Sequence, residues 1–139
     1  MKKCYKDLSI LGICAGQGAL LFPWRKQLLG NIEPRSVFHT PKEEQWRLNF
    51  GNIPFLRNEL PEKWHPDIIL SSPDCGASST MRLSKSKELG NPEKNKSIKL
   101  VIEGIMQYQL KVFMIENVPR LMSLMPENIW QEALPNYKL

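Results

Sequence analysis

The sequence predicts one α/β domain, in which a mostly parallel sheet carries helices on both faces. Short apolar runs that are typical of buried strands alternate along the chain with longer stretches of helical periodicity. Such alternation is typical of strand–helix–strand units with parallel strands. The length of 139 residues suits a single domain with a substantial core.

The first half of the chain contains three predicted strands and two predicted helices. The apolar run Leu8–Cys14 predicts the first strand, and a glycine turn leads from it into a helix over Ala19–Leu29. Gly30 is expected to end this helix, and Pro23 is expected in its first turn, where a missing N–H costs little. The remaining elements of this half are a strand Arg35–Phe38, a helix Pro41–Phe50 and a weak strand Phe55–Arg57.

The second half contains two more strands around a long loop and a helix. Asp67–Leu70 predicts the fourth strand, and the polar stretch Ser71–Pro92 predicts a loop of the length that usually carries function. A helix is expected from about Lys94 to Leu110, since its apolar residues recur at the spacing of one buried face. Lys111–Ile115 predicts the fifth strand.

The amino-acid composition of the chain excludes several classes of protein. The chain has 19 Lys and Arg against 14 Asp and Glu, a net charge of +5, which fits either a polyanionic partner or an ordinary basic surface. Three cysteines and two histidines lack metal-ligand spacing and cannot all pair, so we expect no zinc site and no disulfide scaffold. No apolar run approaches the ~20 residues of a membrane span, and no signal peptide is visible. We therefore expect a cytoplasmic protein.

Three predicted strands are followed directly by residues that could bind a ligand or take part in catalysis. The segments are Cys14–Gly18, with two glycines, Ser71–Ser79, with Cys75 in a Pro/Gly/Ser loop, and Glu116–Val118, with a carboxylate and an amide. Because ligands bind at the carboxyl ends of parallel strands, we expect these segments to meet at one rim. A thiol placed rigidly in a loop suits a nucleophile, and a carboxylate in partly apolar surroundings suits proton donation.

Each segment also has an ordinary interpretation. The glycine turn is compatible with a plain strand-to-helix connection, and Leu21 stands where a dinucleotide fingerprint needs its third glycine. Cys75 is compatible with a small filler residue, since the adjacent Asp74 disfavours a thiolate. Glu116 is compatible with a solvated carboxylate that caps the next helix.

Taken in order, the segments resemble the DNA cytosine-5 methyltransferase family. The glycine turn resembles the family's first motif, which binds S-adenosylmethionine. Ser72-Pro-Asp-Cys-Gly-Ala-Ser-Ser79 resembles its Pro-Cys nucleophile loop, and Glu116-Asn-Val118 matches its Glu-Asn-Val motif. Trp46-Arg-Leu-Asn-Phe50 resembles the segment after the second strand. The resemblance implies a Rossmann-like, doubly wound methyltransferase domain spanning residues 1–139 and ending before the family's target recognition domain.

The resemblance also implies roles for particular residues. Cys75 would attack C6 of a flipped-out cytosine, Glu116 would protonate the ring near N3, and Asn117 would brace the nucleophile loop. S-adenosyl-L-methionine would be the cofactor, held by Cys14, Ala15, Gly16, Gly18, Asn58 and Pro73. Double-stranded DNA would be contacted by Ser79 and Arg82.

The sequence departs from the family's pattern at several positions, among them Gly76 and Ser78 of the nucleophile loop. Cys14 stands where an aromatic residue usually packs on the adenine, and Asp74 interrupts the usual Pro-Pro-Cys. Asn58 or Glu59 lies where the family has an acidic residue near the adenine amino group. The acidic residue expected after the second strand, which binds the ribose hydroxyls, is absent from Phe38-His-Thr40, with Glu43 or Glu44 as the alternatives.

The end of the sequence predicts dependence on a further chain. Residues 130–139 resemble the helix and strand after Glu-Asn-Val, and the family's target recognition domain has no counterpart here. We expect methylation to need a second chain that supplies it, and an edge strand at Tyr137–Leu139 to lower solubility. Two alternatives are an inactive methyltransferase-like remnant, serving as a cofactor- or DNA-binding accessory module, and an unrelated nucleotide-binding enzyme on the same sheet.

Overall fold

The computed structural model describes residues 4, 7–35, 40–74 and 95–138, and within these ranges it contains one five-stranded parallel sheet. The strand order is β3-β2-β1-β4-β5. The chain thus builds outward from β1 on one side and then on the other, so that β1 and β4 flank a topological switch point. The strands are β1 Ile10–Ile13, β2 Leu28–Glu33, β3 Phe55–Arg57, β4 Ile68–Ser71 and β5 Val112–Ile115.

The helices lie in the connections and after the last strand. A 3₁₀ helix, Ala19–Gln27, joins β1 to β2, α1 (Thr40–Phe50) joins β2 to β3, and α2 (Lys96–Tyr108) precedes β5. Two short helices, α3 (Arg120–Leu124) and α4 (Glu127–Ala133), follow β5. Among the described residues, none of these helices is long and apolar enough to cross a membrane.

The core is divided between the two faces of the sheet. Leu11 and Ile13 of β1 pack with α2, α3 and α4, whereas Ile10 packs on the other face with the 3₁₀ helix and α1. On that second face Trp46 and Phe50 stack with their ring centroids 4.1 Å apart. The central strand is buried on both faces, which explains its uninterrupted apolar sequence and confirms the predicted α/β class.

Helix α2 shows how local sequence fixes an element beside the switch point. The side chain of Asn95 caps its start by accepting a hydrogen bond from the Ile98 N–H at 3.2 Å. Gly104 allows close approach to the sheet, because an added Cβ would collide with the Ile13 side chain. The helix ends before Gln109, whose φ of 47° is left-handed.

The second strand lies earlier in the sequence than predicted: of the predicted strand Arg35–Phe38 the structure describes only Arg35, which lies outside any strand. Strand β2 covers Leu28–Glu33 and follows the 3₁₀ helix without a loop, so Gly30 lies inside a strand and caps no helix. Its lack of a side chain has a different cause: a Cβ there would lie 2.9 Å from the carbonyl oxygen of Pro54. Pro23 lies in the middle of the 3₁₀ helix, beyond the first turn.

The predicted edge strand at the end of the sequence was also wrong. Tyr137 lies outside any strand; its ring packs edge-on against Phe113 at 5.2 Å, and its hydroxyl donates to the Ile105 carbonyl. The sheet edge on this side is β5, where the side chains of Val112 and Met114 are 56% and 47% exposed.

Candidate functional site

A cavity of about 270 Å³ opens at the carboxyl ends of β1, β2 and β4, where the topology predicts a ligand site. We call it the switch-point cavity. It is lined by backbone and side chains of three strand ends, the start of α1 and the start of α2: Cys14, Ala15, Gly16, Glu33, Pro34, Arg35, Lys42, Ser72, Asp74, Lys96 and Ser97.

The turn after β1 forms one wall of this cavity. Cys14 and Gly16 both have a φ of 57°, in the left-handed region that glycine adopts readily and cysteine rarely. The Cys14 N–H donates to the Ile32 carbonyl at 2.8 Å, which ties the turn to β2. An added Cβ on Gly16 would meet nothing within 4 Å, so its backbone faces open space.

Glu33, at the carboxyl end of β2, is the residue that the sequence analysis missed. It is 3% exposed, and its Oε1 accepts hydrogen bonds from the Gly16 N–H at 2.6 Å and from Asn31 Nδ2 at 3.0 Å. Asn31 Oδ1 in turn accepts from the Ala15 N–H at 3.2 Å. Two polar side chains of one buried strand therefore hold the turn after β1 in place.

This position corrects the expectation that no acidic residue follows the second strand. That expectation rested on a strand at Arg35–Phe38, whereas the strand ends at Glu33. The available signal was the run Leu28–Glu33, in which mostly apolar residues, interrupted by Asn31, lead to one acid.

Cys14 is buried, with 3% of its surface exposed. Desolvation, followed by the negative charge of Glu33, raises the pKa of the Cys14 thiol far above its ordinary value. Its Sγ donates to the Ser97 carbonyl at 3.5 Å, so the thiol links the turn after β1 to the first turn of α2.

A second group of contacts joins the strand ends of β4 and β5. The Ser72 hydroxyl donates to Glu116 Oε2 at 2.6 Å, and Asn117 Nδ2 donates to the Pro73 carbonyl at 2.8 Å. Ser72 lines the switch-point cavity, whereas Asn117 lines a separate cavity of about 410 Å³ with residues of β5, α3 and α4. The two bonds therefore join Glu116 and Asn117 to residues at the switch-point cavity, although neither of them lines it. Glu116 is exposed, so the partly apolar surroundings expected for its carboxylate are not found.

The structure brings together most of the predicted residues that it describes. Cys14, Ala15 and Gly16 line the cavity, and the buried Pro73 lies between the lining residues Ser72 and Asp74. The predicted nucleophile Cys75 and the predicted DNA contacts Ser79 and Arg82 lie outside the described residues.

Two of the residues predicted to bind the cofactor, Gly18 and Asn58, lie beside the switch-point cavity and do not line it. Gly18, with a φ of 85°, packs under α1: an added Cβ would lie 2.6 Å from Cζ of Phe50 and 2.9 Å from Cζ3 of Trp46. Asn58 follows β3, and its Oδ1 accepts from the Arg35 N–H at 3.0 Å. It lines a neighbouring cavity of about 350 Å³.

The charges around the switch-point cavity are mixed. Arg35, Lys42 and Lys96 contribute positive charge, and Glu33 and Asp74 contribute negative charge. Among the described residues, no group of three or more His, Cys, Asp or Glu side chains could hold a metal ion. The lining therefore suits an organic ligand that carries both hydrogen-bond donors and a negatively charged group.

Fold and site together define an α/β protein whose five-stranded parallel sheet is compatible with a Rossmann-like fold. Its candidate ligand site lies at the topological switch point. No model of a known protein family matches the chain, and no curated protein is recognisably similar to it.

Proposed function

We propose that this chain is the catalytic region of an S-adenosylmethionine-dependent DNA cytosine-5 methyltransferase. One observation carries the proposal: the hydrogen bonds Ser72–Glu116 and Asn117–Pro73 join the Glu-Asn-Val segment to the residues just before Cys75. Two motifs that lie far apart in the sequence therefore meet at Ser72, which lines the switch-point cavity. This supports the family resemblance at the place where the reaction would need it.

The residues of the cavity fit the proposed cofactor. Glu33 offers a buried carboxylate at the end of β2, where ribose hydroxyls are bound in doubly wound folds. Its two hydrogen bonds go to Oε1, and a carboxylate has a second oxygen with which to accept from a hydroxyl. The open space at Gly16 leaves room for the methionine part against the backbone. Bound S-adenosylmethionine would supply a methyl group on a positively charged sulfur.

The chain's own residues would then act on the cytosine. The Cys75 thiolate would form a bond to C6 while Glu116 delivers a proton to N3, so that electron density reaches C5. After C5 has gained the methyl group, a water molecule would take the proton from C5 and the Cys75–C6 bond would break. N3 would return its proton to Glu116, which restores the neutral ring, the free thiolate and the acid. Asn117 would position the nucleophile loop through the Pro73 carbonyl.

The proposal includes double-stranded DNA as the substrate. Ser79 and Arg82 would contact the DNA backbone near the nucleophile loop. The net charge of +5 is compatible with such a partner.

The experiment uses the full chain, S-adenosylmethionine and a DNA duplex that contains 5-fluorocytosine. Fluorine at C5 cannot leave as a proton, so the Cys75–C6 bond should persist as a covalent adduct. Cys75→Ser should abolish the adduct and keep cofactor binding, whereas Cys4→Ser, a change at an exposed thiol, should keep both. An adduct that forms equally well in Cys75→Ser removes Cys75 from the mechanism. A wild-type chain that neither binds the cofactor nor forms the adduct contradicts the proposal.

A second candidate is an inactive methyltransferase-like module. It is favoured by Asp74, which is exposed at the rim next to Cys75, and by the buried thiol of Cys14 where the family has an aromatic residue. Cofactor binding without any adduct in the experiment above would favour this module over the enzyme.

A further inference from the structure

The neighbouring cavity shares part of its wall with the switch-point cavity. We call it the basic cavity; its volume is about 350 Å³, and it is lined by Arg35, Asn58, Lys96, Lys99, Leu100 and Glu103. Arg35 and Lys96 line both cavities and so form the boundary between them. A ligand that extends past these two side chains would contact both spaces.

The two cavities differ in charge. The basic cavity has three positively charged lining residues and one carboxylate, Glu103. The switch-point cavity has two carboxylates, Glu33 and Asp74, against three cations, two of which lie on the shared boundary. An acceptor for hydroxyl groups therefore lies on one side of the boundary, and an excess of positive charge lies on the other.

The backbone fixes this arrangement. The Asn58 N–H donates to the Glu33 carbonyl at 2.9 Å, and Asn58 Oδ1 accepts from the Arg35 N–H at 3.0 Å. Asn58 thus fixes the backbone positions of Glu33 and Arg35 relative to each other at the end of β2. Arginine presents a planar set of donors that matches the oxygens of a phosphate group.

The start of α2 adds to the positive potential. Lys96 is the first residue of this 13-residue helix, and both Lys96 and Ser97 line the switch-point cavity. The dipole at a helix N-terminus favours an anion. Side chains from two separate segments and one helix end therefore converge on the same boundary.

We propose that the two cavities together bind a phosphate ester of a ribonucleoside. A ribose hydroxyl donates to Glu33, and the phosphate lies between Arg35 and Lys96. S-adenosylmethionine carries no phosphate, so this ligand goes beyond the proposed function. Because both ligands use Glu33, the phosphorylated nucleoside competes with S-adenosylmethionine for the chain.

The experiment is a calorimetric titration of the full chain with adenosine and with its 2′-, 3′- and 5′-monophosphates. At least one monophosphate should bind about tenfold or more tightly than adenosine, and higher salt should reduce this advantage. Arg35→Gln and Lys96→Gln should each remove most of the advantage. Lys63→Gln, at an exposed lysine before β4, is the matched control and should leave it unchanged.

Equal binding of adenosine and all three monophosphates overturns the inference without any variant, so it stays testable even if a variant fails to fold. An equal loss in Lys63→Gln also overturns it, since the phosphate would then respond only to net charge. A parallel titration with S-adenosylmethionine separates the two proposals. A chain that binds S-adenosylmethionine and shows no preference for phosphate keeps the proposed function and loses this inference.

Discussion

Replacement of Glu33 tests whether one buried carboxylate organises the turn at the switch point. In Glu33→Ala the Gly16 N–H and the Asn31 amide lose their acceptor at 2.6 and 3.0 Å. A hydrogen bond to a charged group contributes about 1.5–3 kcal/mol, and relief of the buried charge offsets part of that loss. We expect the free energy of unfolding to fall by about 2–4 kcal/mol. Glu33→Gln, which keeps an oxygen acceptor, should cost about 1 kcal/mol.

Urea unfolding followed by circular dichroism measures this difference. With a slope of about 2 kcal/mol per molar urea, the midpoint for Glu33→Ala should fall by about 1–2 M at unchanged slope. Glu44→Ala, a change at an exposed carboxylate on α1, is the matched control and should leave the midpoint near that of the wild type. A midpoint for Glu33→Ala equal to that of the control, or equal losses in the Ala and Gln variants, would refute the role given to this carboxylate.

Three further predictions follow from single contacts. Gly18→Ala should lower the free energy of unfolding, measured in urea, by about 3 kcal/mol, because the new Cβ would collide with Phe50 at a left-handed backbone position. A loss under about 1 kcal/mol would contradict the close packing of Gly18 against Phe50. Since burial raises the pKa of the Cys14 thiol above the ordinary 9.0, the folded chain keeps a proton that the unfolded chain loses above that pH. Above pH 9.0 the free energy of unfolding should therefore fall with rising pH more steeply in the wild type than in Cys14→Ala, by up to about 1.4 kcal/mol per pH unit. Parallel plots of unfolding free energy against pH for the two proteins would refute this prediction. Asn117→Ala should remove the hydrogen bond to the Pro73 carbonyl and so speed proteolysis of the predicted loop after Pro73, measured by mass spectrometry. The control is Asn128→Ala, a change at an exposed asparagine. Equal rates of proteolysis in the two variants would argue against this role of Asn117.

The central strands and α2 could be predicted because their burial leaves a direct pattern in the sequence. Strands β1 and β4 are buried on both faces, so their apolar runs have no other stable place in the fold. Helix α2 has one buried face, with Ile98, Val101 and Ile105 at helical spacing. The parallel sheet then implies that the strand ends meet at one edge.

Strand β2 was misassigned because no turn separates it from the preceding helix. Leu28 and Leu29 continue the apolar content of the 3₁₀ helix, and Gly30 is a common helix stop. In the structure Gly30 is required for a different reason, the close approach of the Pro54 carbonyl, which a single sequence does not reveal. The error moved the strand end from Glu33 to Phe38 and concealed the acid at the site.

The contacts around Glu116 and Asn117 illustrate a further limit of sequence reasoning. The motif predicts which residues meet, but the partners are a hydroxyl and a backbone carbonyl, on Ser72 and Pro73. Backbone acceptors carry no sequence signal, so this brace is visible only in three dimensions. The same holds for the Asn31 side chain, whose hydrogen bond to the Ala15 N–H depends on strand register.

An NMR titration of the ¹⁵N-labelled full chain with S-adenosylmethionine tests most directly whether the switch-point cavity binds the cofactor. The account predicts that the largest amide shifts fall on residues 14–16, on Glu33, and on Ser72 and Asp74, which flank Pro73. Glu33→Gln should weaken the affinity while the shifts stay on the same residues. Shifts centred on the far edge of the sheet at β5, or a spectrum that does not change at saturating cofactor, would contradict the account.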